Sequence, residues 1–193
     1  FGADLILLNG IDIFQPFVAG LDAKEDFVEE LHRLVGRPIG INLEPVDSQA
    51  QMAGERLIID EGRQASLATI QRAEELGVDF ICLTGNPGTG VTNQAIIDTI
   101  RVVKENFSGL LIAGKMHASG VDEPVADLEA IAQFIEAGVD IVLAPAVGSV
   151  PGFDEQDLKQ IVRLAHQKGA LVMSAIGTSQ ESADEDIVKQ MAI

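Results

Sequence analysis

The chain has 193 residues, 47% of them hydrophobic, and a domain of this size removes roughly 70% of its unfolded surface from water, so one full core is expected. Asp and Glu outnumber Lys and Arg by 30 to 13, which argues against nucleic acid as a partner because its phosphate backbone would be repelled. The single cysteine excludes an intramolecular disulfide, and no apolar stretch reaches the ~20 residues that span a bilayer, so we expect a cytoplasmic protein without a membrane partner.

Six apolar runs typical of β-strands follow one another, and each precedes a stretch with helical periodicity. In chain order they are ADLILLNG, RPIGINLEP, VDFICLTG, GLLIAGKMH, VDIVLAPA and ALVMSAIG. Asp22, Pro124, Asp154 and the pair Ser182 and Glu185 predict helix starts. Glycines with the left-handed conformation of a helix C-terminus are expected at Gly36, Gly77, Gly138 and Gly169. Alternating strands and helices of this length predict parallel strands joined by right-handed crossovers.

Three of these strands, in alternate units, open with the same pattern: GADLI, GVDFI and GVDIV. Alternate strands of an eight-stranded barrel occupy equivalent positions, so the repeat favours an α/β fold of the (β/α)8 TIM-barrel class over an open sheet. The equally weighted alternative is that G-x-D is a common helix-to-strand turn. Because the sequence starts beside a strand without a methionine and stops within a helical pattern, residues 1–193 are predicted to be a single incomplete barrel domain. Its six βα units fit strands two to seven of eight.

Alternation along each strand separates side chains that face the helices from those that face the barrel interior, and barrel chemistry gathers at the C-terminal strand ends. In PIGINLEP, the apolar residues Ile39, Ile41 and Leu43 are assigned to the helix side. In LLIAGKMH, Leu110 and Ile112 are assigned to the same side. The polar side chains then predicted to point inward, toward the mouth, are Asn9, Asn42, Glu44, Thr84, Lys115, His117 and Ser174.

An inward lysine and glutamate on neighbouring barrel tops are expected to be paired, ligand-bound or both, because a lone buried charge costs several kcal/mol. One alternative is a plain ion pair that closes the mouth. The other is a catalytic set, in which Glu44 is the general base, Lys115 binds an anion or forms a Schiff base with a carbonyl, and His117 moves a proton.

Three glycine-rich turns follow the strands: TGNPGTGVT, PAVGSVPG and SAIGTSQES. Backbone N–H groups in such turns can bind an anion, although each turn can equally use glycine for geometry alone. GNPGTGVT resembles a nucleotide phosphate loop, but Val91 stands where the lysine is required, and Thr92 is predicted to cap a helix instead. From these turns the predicted substrate-binding residues are Gly85, Asn86, Gly177, Thr178 and Ser179.

The segment PVDSQAQMAGERLIIDEGRQAS is longer than ordinary strand-to-helix connections. It predicts either a lid or a subunit contact, which would make a homo-oligomer, or a loop that packs on its own barrel. Beyond the fourth predicted strand, Asp122 and Glu123 raise a further hypothesis. The pair could bind Mg²⁺ through water together with Glu44, with Glu44 and Asp122 as the candidate ligands; the alternative is that such loop acids are merely solvated.

The stretches FGADLILLNG, INLEPVD, FICLTGNPGTGVTN, IAGKMH, GVDEPV, LAPAVGSVPGF and GALVMSAIGTSQE resemble an uncharacterised bacterial TIM-barrel family. Its members carry the labels phosphoenolpyruvate phosphonomutase-like or haloacid dehalogenase-like hydrolase. The resemblance covers essentially the whole chain and implies the barrel, but no established activity. The phosphonomutase group uses a lysine-rich loop with a cysteine, whereas Cys82 lies within a strand pattern. The Asp-x-Asp nucleophile of haloacid dehalogenases has no counterpart at a strand end here.

The leading functional hypothesis is an enzyme that acts on a small anionic metabolite, phosphorylated or carboxylated, with lyase or isomerase chemistry at the barrel mouth. One alternative is a Mg²⁺-dependent enzyme similar to the phosphonomutases and lyases. Another is a barrel that binds a ligand or serves as a scaffold without catalysis, since a fold alone does not give a function.

Overall fold

A computed structural model of the chain describes residues 2–22, 25–177, 180 and 183–191. Within these residues, six parallel strands pair in the order in which they occur in the chain, so each βα unit lies beside the next. The strands are β1 (Ile6–Leu8), β2 (Ile39–Leu43), β3 (Phe80–Leu83), β4 (Leu110–Gly114), β5 (Ile141–Pro145) and β6 (Leu171–Ala175). The protein is thus a six-stranded half-barrel with alternating helices, and the predicted TIM-barrel class is confirmed.

Each strand is followed by a helix on the outer side of the sheet. The helices are α1 (Phe27–Val35), α2 (Leu67–Glu75), α3 (Asn93–Asn106), α4 (Leu128–Ala137), α5 (Glu155–Gln167) and α6 (Glu185–Met191), with a 3-10 turn at Glu61–Arg63. Asp154 caps α5 as predicted. In the described part of the chain, none of the helices has both the length and the apolar character needed to cross a membrane.

Two predicted helix starts are wrong. Helix α1 begins after Asp26 instead of at Asp22. Helix α4 begins after Asp127, whose side chain accepts a hydrogen bond from the Glu129 backbone N–H, so the first turn forms beyond Pro124. Ser182 lies outside the described residues. The four predicted C-terminal glycines all have positive φ angles, which an L side chain adopts only with strain.

The sheet separates two apolar layers. The larger one lies between the strands and the helices and includes Ile39, Ile41 and Leu43, as the alternation in β2 predicts. The smaller one lies on the inner face and consists of Phe80, Cys82, Ile112 and Leu143. The inner face of the half-barrel is therefore itself apolar, and polar groups are confined to the strand ends.

The predicted orientation of β4 is wrong. Leu111 and Ala113 pack in the helix-side layer, whereas Ile112 pairs with Cys82 across the sheet and belongs to the inner layer. Both faces of β4 are apolar, so alternation of hydrophobicity could not decide which side faces the helices. The strand parity of Leu111 and Ala113 continues to Lys115, which is thereby directed away from the interior.

Ser174 is also placed on the opposite face from the one predicted. It pairs with Ala144, a member of the helix-side layer, and it lines a depression beside α5 and α6 instead of the barrel interior. On β6 the inward residue is its neighbour Met173, which packs against the inner layer.

The repeated G-x-D pattern has a structural role at the start of the strands. The Asp79 carboxylate accepts the backbone N–H of Ile39 at 2.7 Å, and the Asp140 carboxylate accepts that of Leu111 at 2.8 Å. Each aspartate therefore joins the start of its own strand to the start of the preceding one. Asp4 occupies the corresponding place before β1, where its exposed carboxylate has no partner among the described residues.

The long segment between β2 and α2 packs on the rim of its own barrel, as one of the two alternatives predicted. The backbone N–H of Leu57 donates to Gly88 at 2.8 Å, and that of Ala53 donates to Gly120 at 2.9 Å. The segment thereby covers the turns that follow β3 and β4. Ile58 remains 89% exposed at its tip, and the homo-oligomer stays a prediction.

Candidate functional site

A cavity of about 480 Å³ opens on the inner face of the sheet, toward the C-terminal ends of the strands. Ten of its seventeen lining residues are apolar, and none of the described ones carries a charge at neutral pH. Two lining residues are glycines. The polar ones, all at strand ends or in the turns beyond them, are Asn9, Asn42, Thr84, Asn86 and His117. This arrangement suits a ligand with an apolar body and a few polar groups at one end.

Three asparagines from successive βα units form a hydrogen-bonded amide chain at the polar end of the cavity. Asn42 Nδ2 donates to Asn9 Oδ1 at 3.1 Å. Asn9 and Asn86 exchange two hydrogen bonds through their side chains, both at 3.2 Å. The amide chain therefore links the ends of β1, β2 and β3, and all three residues were predicted to lie at this mouth.

Glu44 lies behind the amide chain and does not line the cavity. Its side chain is 1% exposed and accepts hydrogen bonds from Arg63 Nη2 at 2.9 Å, Asn86 N at 2.7 Å and Asn86 Nδ2 at 2.8 Å. The expected pairing of Glu44 with Lys115 is therefore wrong. The cation that pairs with Glu44 is instead Arg63 of the 3-10 turn. The Arg63 backbone carbonyl also accepts the Glu44 N–H, at 2.9 Å.

Lys115 is equally buried, with 1% of its side chain exposed, and lies outside the cavity lining. Its ammonium group donates to Glu123 Oε2 at 2.5 Å. The same oxygen accepts the backbone N–H of Asn93 at 2.8 Å, at the start of α3. Burial lowers the pKa of Lys115, and the bond to Glu123 opposes that effect.

His117 lines the cavity at its polar end. Its Nδ1 accepts the backbone N–H of Ser119 at 3.0 Å, so in the neutral ring the proton is on Nε2. Burial lowers the pKa of His117; Glu44 acts in the opposite direction, and Lys115 adds to the decrease. The ring is thus oriented by the main chain and is held in the neutral form at lower pH than a free histidine.

The remaining predicted site residues divide between the cavity and other places. Gly85 and Gly177 line the cavity, whereas Ser174 lies on the helix side. Thr178 and Ser179 fall outside the residues that the structure describes.

The predicted metal ligands do not come together. Asp122 is exposed, and Glu44 is already engaged by a guanidinium group, which would repel a cation. Over the described ranges, no group of three or more His, Cys, Asp or Glu residues could hold a metal ion.

The GNPGTGVT turn is built by packing and not by phosphate recognition. Val91 is fully buried and belongs to the helix-side core, and Thr92 caps α3 as predicted by accepting the Ala95 N–H. A Cβ atom on Gly85 would lie 2.5 Å from Ser119 Oγ. Gly88 and Gly90 both have a φ of 78°, so this turn requires glycine at both positions.

Two contributors to the site were missed from sequence, and a third was given the wrong role. Arg63 neutralises Glu44 from a segment without regular periodicity, and Ser119 orients His117 from an unusual backbone conformation with φ of 54°. Glu123, considered above for Mg²⁺, instead pairs with Lys115. Their sequence contexts carry no motif, so only the folded loops bring these groups to their partners.

The parallel half-barrel and its polar mouth define a TIM-barrel-like (β/α) protein. Within that class, the chain belongs to the family described as domain of unknown function DUF7916, whose model matches residues 1–193. A comparison with curated proteins finds no matching sequence.

Solved structures with similar folds include several TIM-barrel enzymes. One is 3-keto-L-gulonate-6-phosphate decarboxylase from Vibrio cholerae O1 biovar El Tor str. N16961, with 13% identity, a TM-score of 0.52, and coverage of 89% of this chain and 65% of that one. A second is 2,3-dimethylmalate lyase, a member of the PEP mutase/isocitrate lyase superfamily (10% identity, TM-score 0.52, coverage 99% and 74%). A third is phosphonopyruvate hydrolase in complex with oxalate and Mg++, with 14% identity, a TM-score of 0.52, and coverage of 99% of this chain and 66% of that one.

At these identities the similarity establishes the fold alone. The chain spans about two thirds of the length of the first of these structures. The resemblance to phosphonomutase-like proteins is supported at the level of the fold, through a superfamily member among the similar structures.

Proposed function

We propose that the chain forms the substrate-binding mouth of a TIM-barrel enzyme with lyase or isomerase chemistry. The observation that carries the proposal is His117, which lines an apolar cavity and whose Nδ1 accepts the Ser119 N–H, so that Nε2 carries the proton of the neutral ring. A neutral imidazole whose proton is on Nε2 can polarise a substrate carbonyl by donating a hydrogen bond to its oxygen, and burial favours this neutral form because it keeps the pKa of His117 below the usual value. Proton transfer next to a carbonyl or carboxylate is common to lyases and isomerases.

In this proposal Glu44 and Lys115 act through other groups. Glu44 holds Asn86, and through it the amide chain, in one orientation. Lys115 fixes Glu123 against the start of α3 beneath the loop that carries His117. Both charges also influence the pKa of His117. They are positioning residues and not groups that contact the substrate.

The proposed substrate is a small metabolite with a carboxylate or phosphate group. Two of the structurally similar proteins are named for such compounds, 3-keto-L-gulonate 6-phosphate and 2,3-dimethylmalate, which supports the proposal only by analogy of fold. In this chain the polar side chains and turn residues at the cavity, including Thr84, Gly85 and Gly177, would bind the substrate. Thr178 and Ser179 remain predicted anion donors.

A Mg²⁺-dependent reaction is a second candidate, favoured by the complex of the structurally similar phosphonopyruvate hydrolase with oxalate and Mg++. It would require Glu44 to exchange its bond to Arg63 for the metal and the exposed Asp122 to approach it. Activity that is lost in EDTA and restored by Mg²⁺ would favour this candidate over the metal-free one.

The test combines binding with deuterium exchange. Phosphorylated sugars, 2-oxo acids and hydroxy acids are screened for thermal stabilisation, and compounds that bind are incubated in D2O and followed by proton NMR. We expect at least one to exchange a carbon-bound proton or to be converted. His117→Asn, which keeps an acceptor for the Ser119 N–H, should slow this by about 10² or more. His166→Asn, on the exposed face of α5, should not.

Two results would contradict the proposal. Binding without exchange or conversion of any compound would favour the non-catalytic barrel, and an unchanged rate in His117→Asn would remove His117 from the chemistry.

A further inference from the structure

Two buried polar atoms at the polar end of the cavity lack a hydrogen-bond partner within the described part of the protein. They are Asn42 Oδ1 and Thr84 Oγ1. Asn42 is only 2% exposed, and both residues line the cavity. An unpaired buried polar group is costly, so such atoms in a cavity indicate where a ligand group is received.

The direction of the amide chain determines what Asn42 offers to a ligand. The Glu44 carboxylate can only accept, so it receives Nδ2 of Asn86. Asn86 Oδ1 then receives Nδ2 of Asn9, and Asn9 Oδ1 receives Nδ2 of Asn42. The one Asn42 atom left without a partner is consequently Oδ1, an acceptor. The ion pair of Glu44 with Arg63 thus sets the hydrogen-bonding character of a cavity that neither residue lines.

Thr84 lies on the same face of the sheet as Asn42 and lines the same cavity. Asn42 pairs with Cys82 in the parallel register, and Thr84 is two residues beyond Cys82 at the end of β3. Its hydroxyl can either donate or accept. A ligand hydroxyl that donates its one hydrogen to Asn42 Oδ1 can therefore accept a hydrogen bond from Thr84 Oγ1.

We propose that this cavity selects a hydroxylated metabolite, such as a hydroxy acid, over the corresponding oxo compound. This specificity rests on the proposed function for the location of the substrate. A carbonyl oxygen has only lone pairs, so at Asn42 Oδ1 it would leave one acceptor facing another. The inner apolar layer, which includes Phe80, Ile112 and Leu143, holds the carbon skeleton of the ligand.

The experiment uses two pairs of compounds with matched carbon skeletons. These are 2-hydroxy-4-methylpentanoate with 4-methyl-2-oxopentanoate, and cyclohexanol with cyclohexanone, measured by saturation-transfer NMR and titration. We expect the hydroxyl compound of each pair to bind at least about tenfold more tightly, because the oxo compound leaves a buried acceptor unpaired. The cyclohexyl pair removes the carboxylate, so it separates hydroxyl recognition from anion binding.

Three variants identify the groups responsible for the preference. Asn42→Leu, which has the same branching and the same number of side-chain heavy atoms, should bring the two members of each pair to nearly equal affinity. Thr84→Val, which only exchanges a hydroxyl for a methyl, should reduce the preference several-fold and tests the idea even if Asn42→Leu does not fold. Thr99→Val is the matched control, since Thr99 on α3 does not line the cavity.

The proposal is overturned if the wild-type protein binds oxo and hydroxyl compounds equally, if it prefers the oxo compound, or if no member of either pair binds at its solubility limit. It is also overturned if Asn42→Leu and Thr84→Val both keep the wild-type preference. A hydroxyl preference without turnover of any compound would contradict the proposed function alone. Turnover of oxo compounds without hydroxyl preference would contradict the specificity alone.

Discussion

Replacing Glu44 by glutamine should destabilise the protein strongly although the two side chains have nearly the same shape. Glu44 accepts three hydrogen bonds at 1% exposure, from Arg63 and from two N–H groups of Asn86. Glutamine keeps one acceptor oxygen, turns the other into a donor that faces existing donors, and leaves the guanidinium without a counter-charge.

The expected magnitude follows from the burial of the pair. Breaking a buried ion pair by removing one partner costs about 3–5 kcal/mol. The Arg63 side chain is 22% exposed and can turn toward water, so the lower end, about 3 kcal/mol, is expected. For a domain of this length each kcal/mol lowers Tm by about 2–4 °C, which predicts a decrease of roughly 6–12 °C.

The assay is thermal and urea unfolding followed by far-UV circular dichroism, because the chain contains neither tryptophan nor tyrosine. Glu155→Gln is the matched control: its ion pair with Lys159 is exposed and spans one helical turn, so it should cost only about 0.3–0.5 kcal/mol. A double-mutant cycle with Arg63→Met measures the coupling. Equal Tm values for Glu44→Gln and the control would refute the reasoning that Glu44 is a structural acceptor.

Three further predictions use single substitutions or reagents. Gly40→Ala should cost about 1–3 kcal/mol in urea unfolding, because its Cβ would overlap the Phe80 ring; Gly54→Ala, where a Cβ contacts nothing within 4 Å, should not. The pKa of His117 is lower in the folded state than in the unfolded state. The neutral ring therefore contributes fully to the free energy of unfolding above the unfolded-state pKa of about 6.5, and this contribution is lost as the pH falls through the folded-state pKa. His117→Asn should therefore lose less stability than wild type on acidification. Equal dependence of the unfolding free energy on pH in the two proteins would contradict this. Burial raises the pKa of the Cys82 thiol to about 12, so iodoacetamide at pH 8 should label it only after unfolding; rapid labelling of the native protein would refute its burial.

The fold was predictable because its signals are local and repeated. Each βα unit carries an apolar run, a helical pattern and glycines at helix ends, and these features agree with one another along the chain. The orientation of β4 was not predictable, since Leu111, Ile112 and Ala113 are all apolar and both faces of a parallel strand are buried. The register with β3 decides it, by pairing Ile112 with Cys82.

In the candidate site, the locations of the residues were easier to predict than their hydrogen-bond and ion-pair partners. Asn9, Asn42, Asn86 and His117 were placed at the mouth because they end strands or begin the turns beyond them, and the cavity brings them together. Glu44 was placed at the same rim, but its partner Arg63 comes from a long loop. Loop conformation depends on tertiary contacts that no periodicity encodes, so which cation neutralises which carboxylate could not be read from spacing.

The G-x-D repeat connects the fold to the extent of the domain. Asp79 and Asp140 each accept a backbone N–H at the start of the strand before their own, from Ile39 and Leu111 respectively, so the repeat is more than a common turn: it joins neighbouring strands in pairs. Asp4 has the same position before β1, at an edge of the sheet, and among the described residues its carboxylate has no such strand to bind. If the barrel closes with further strands, as predicted from the sequence, we expect Asp4 to accept a backbone N–H at the start of the strand beside β1. Asp4→Asn should then destabilise a closed barrel, by less than Asp140→Asn does because Asp140 also pairs with Lys104 at 3.2 Å, and leave the six-stranded chain unchanged.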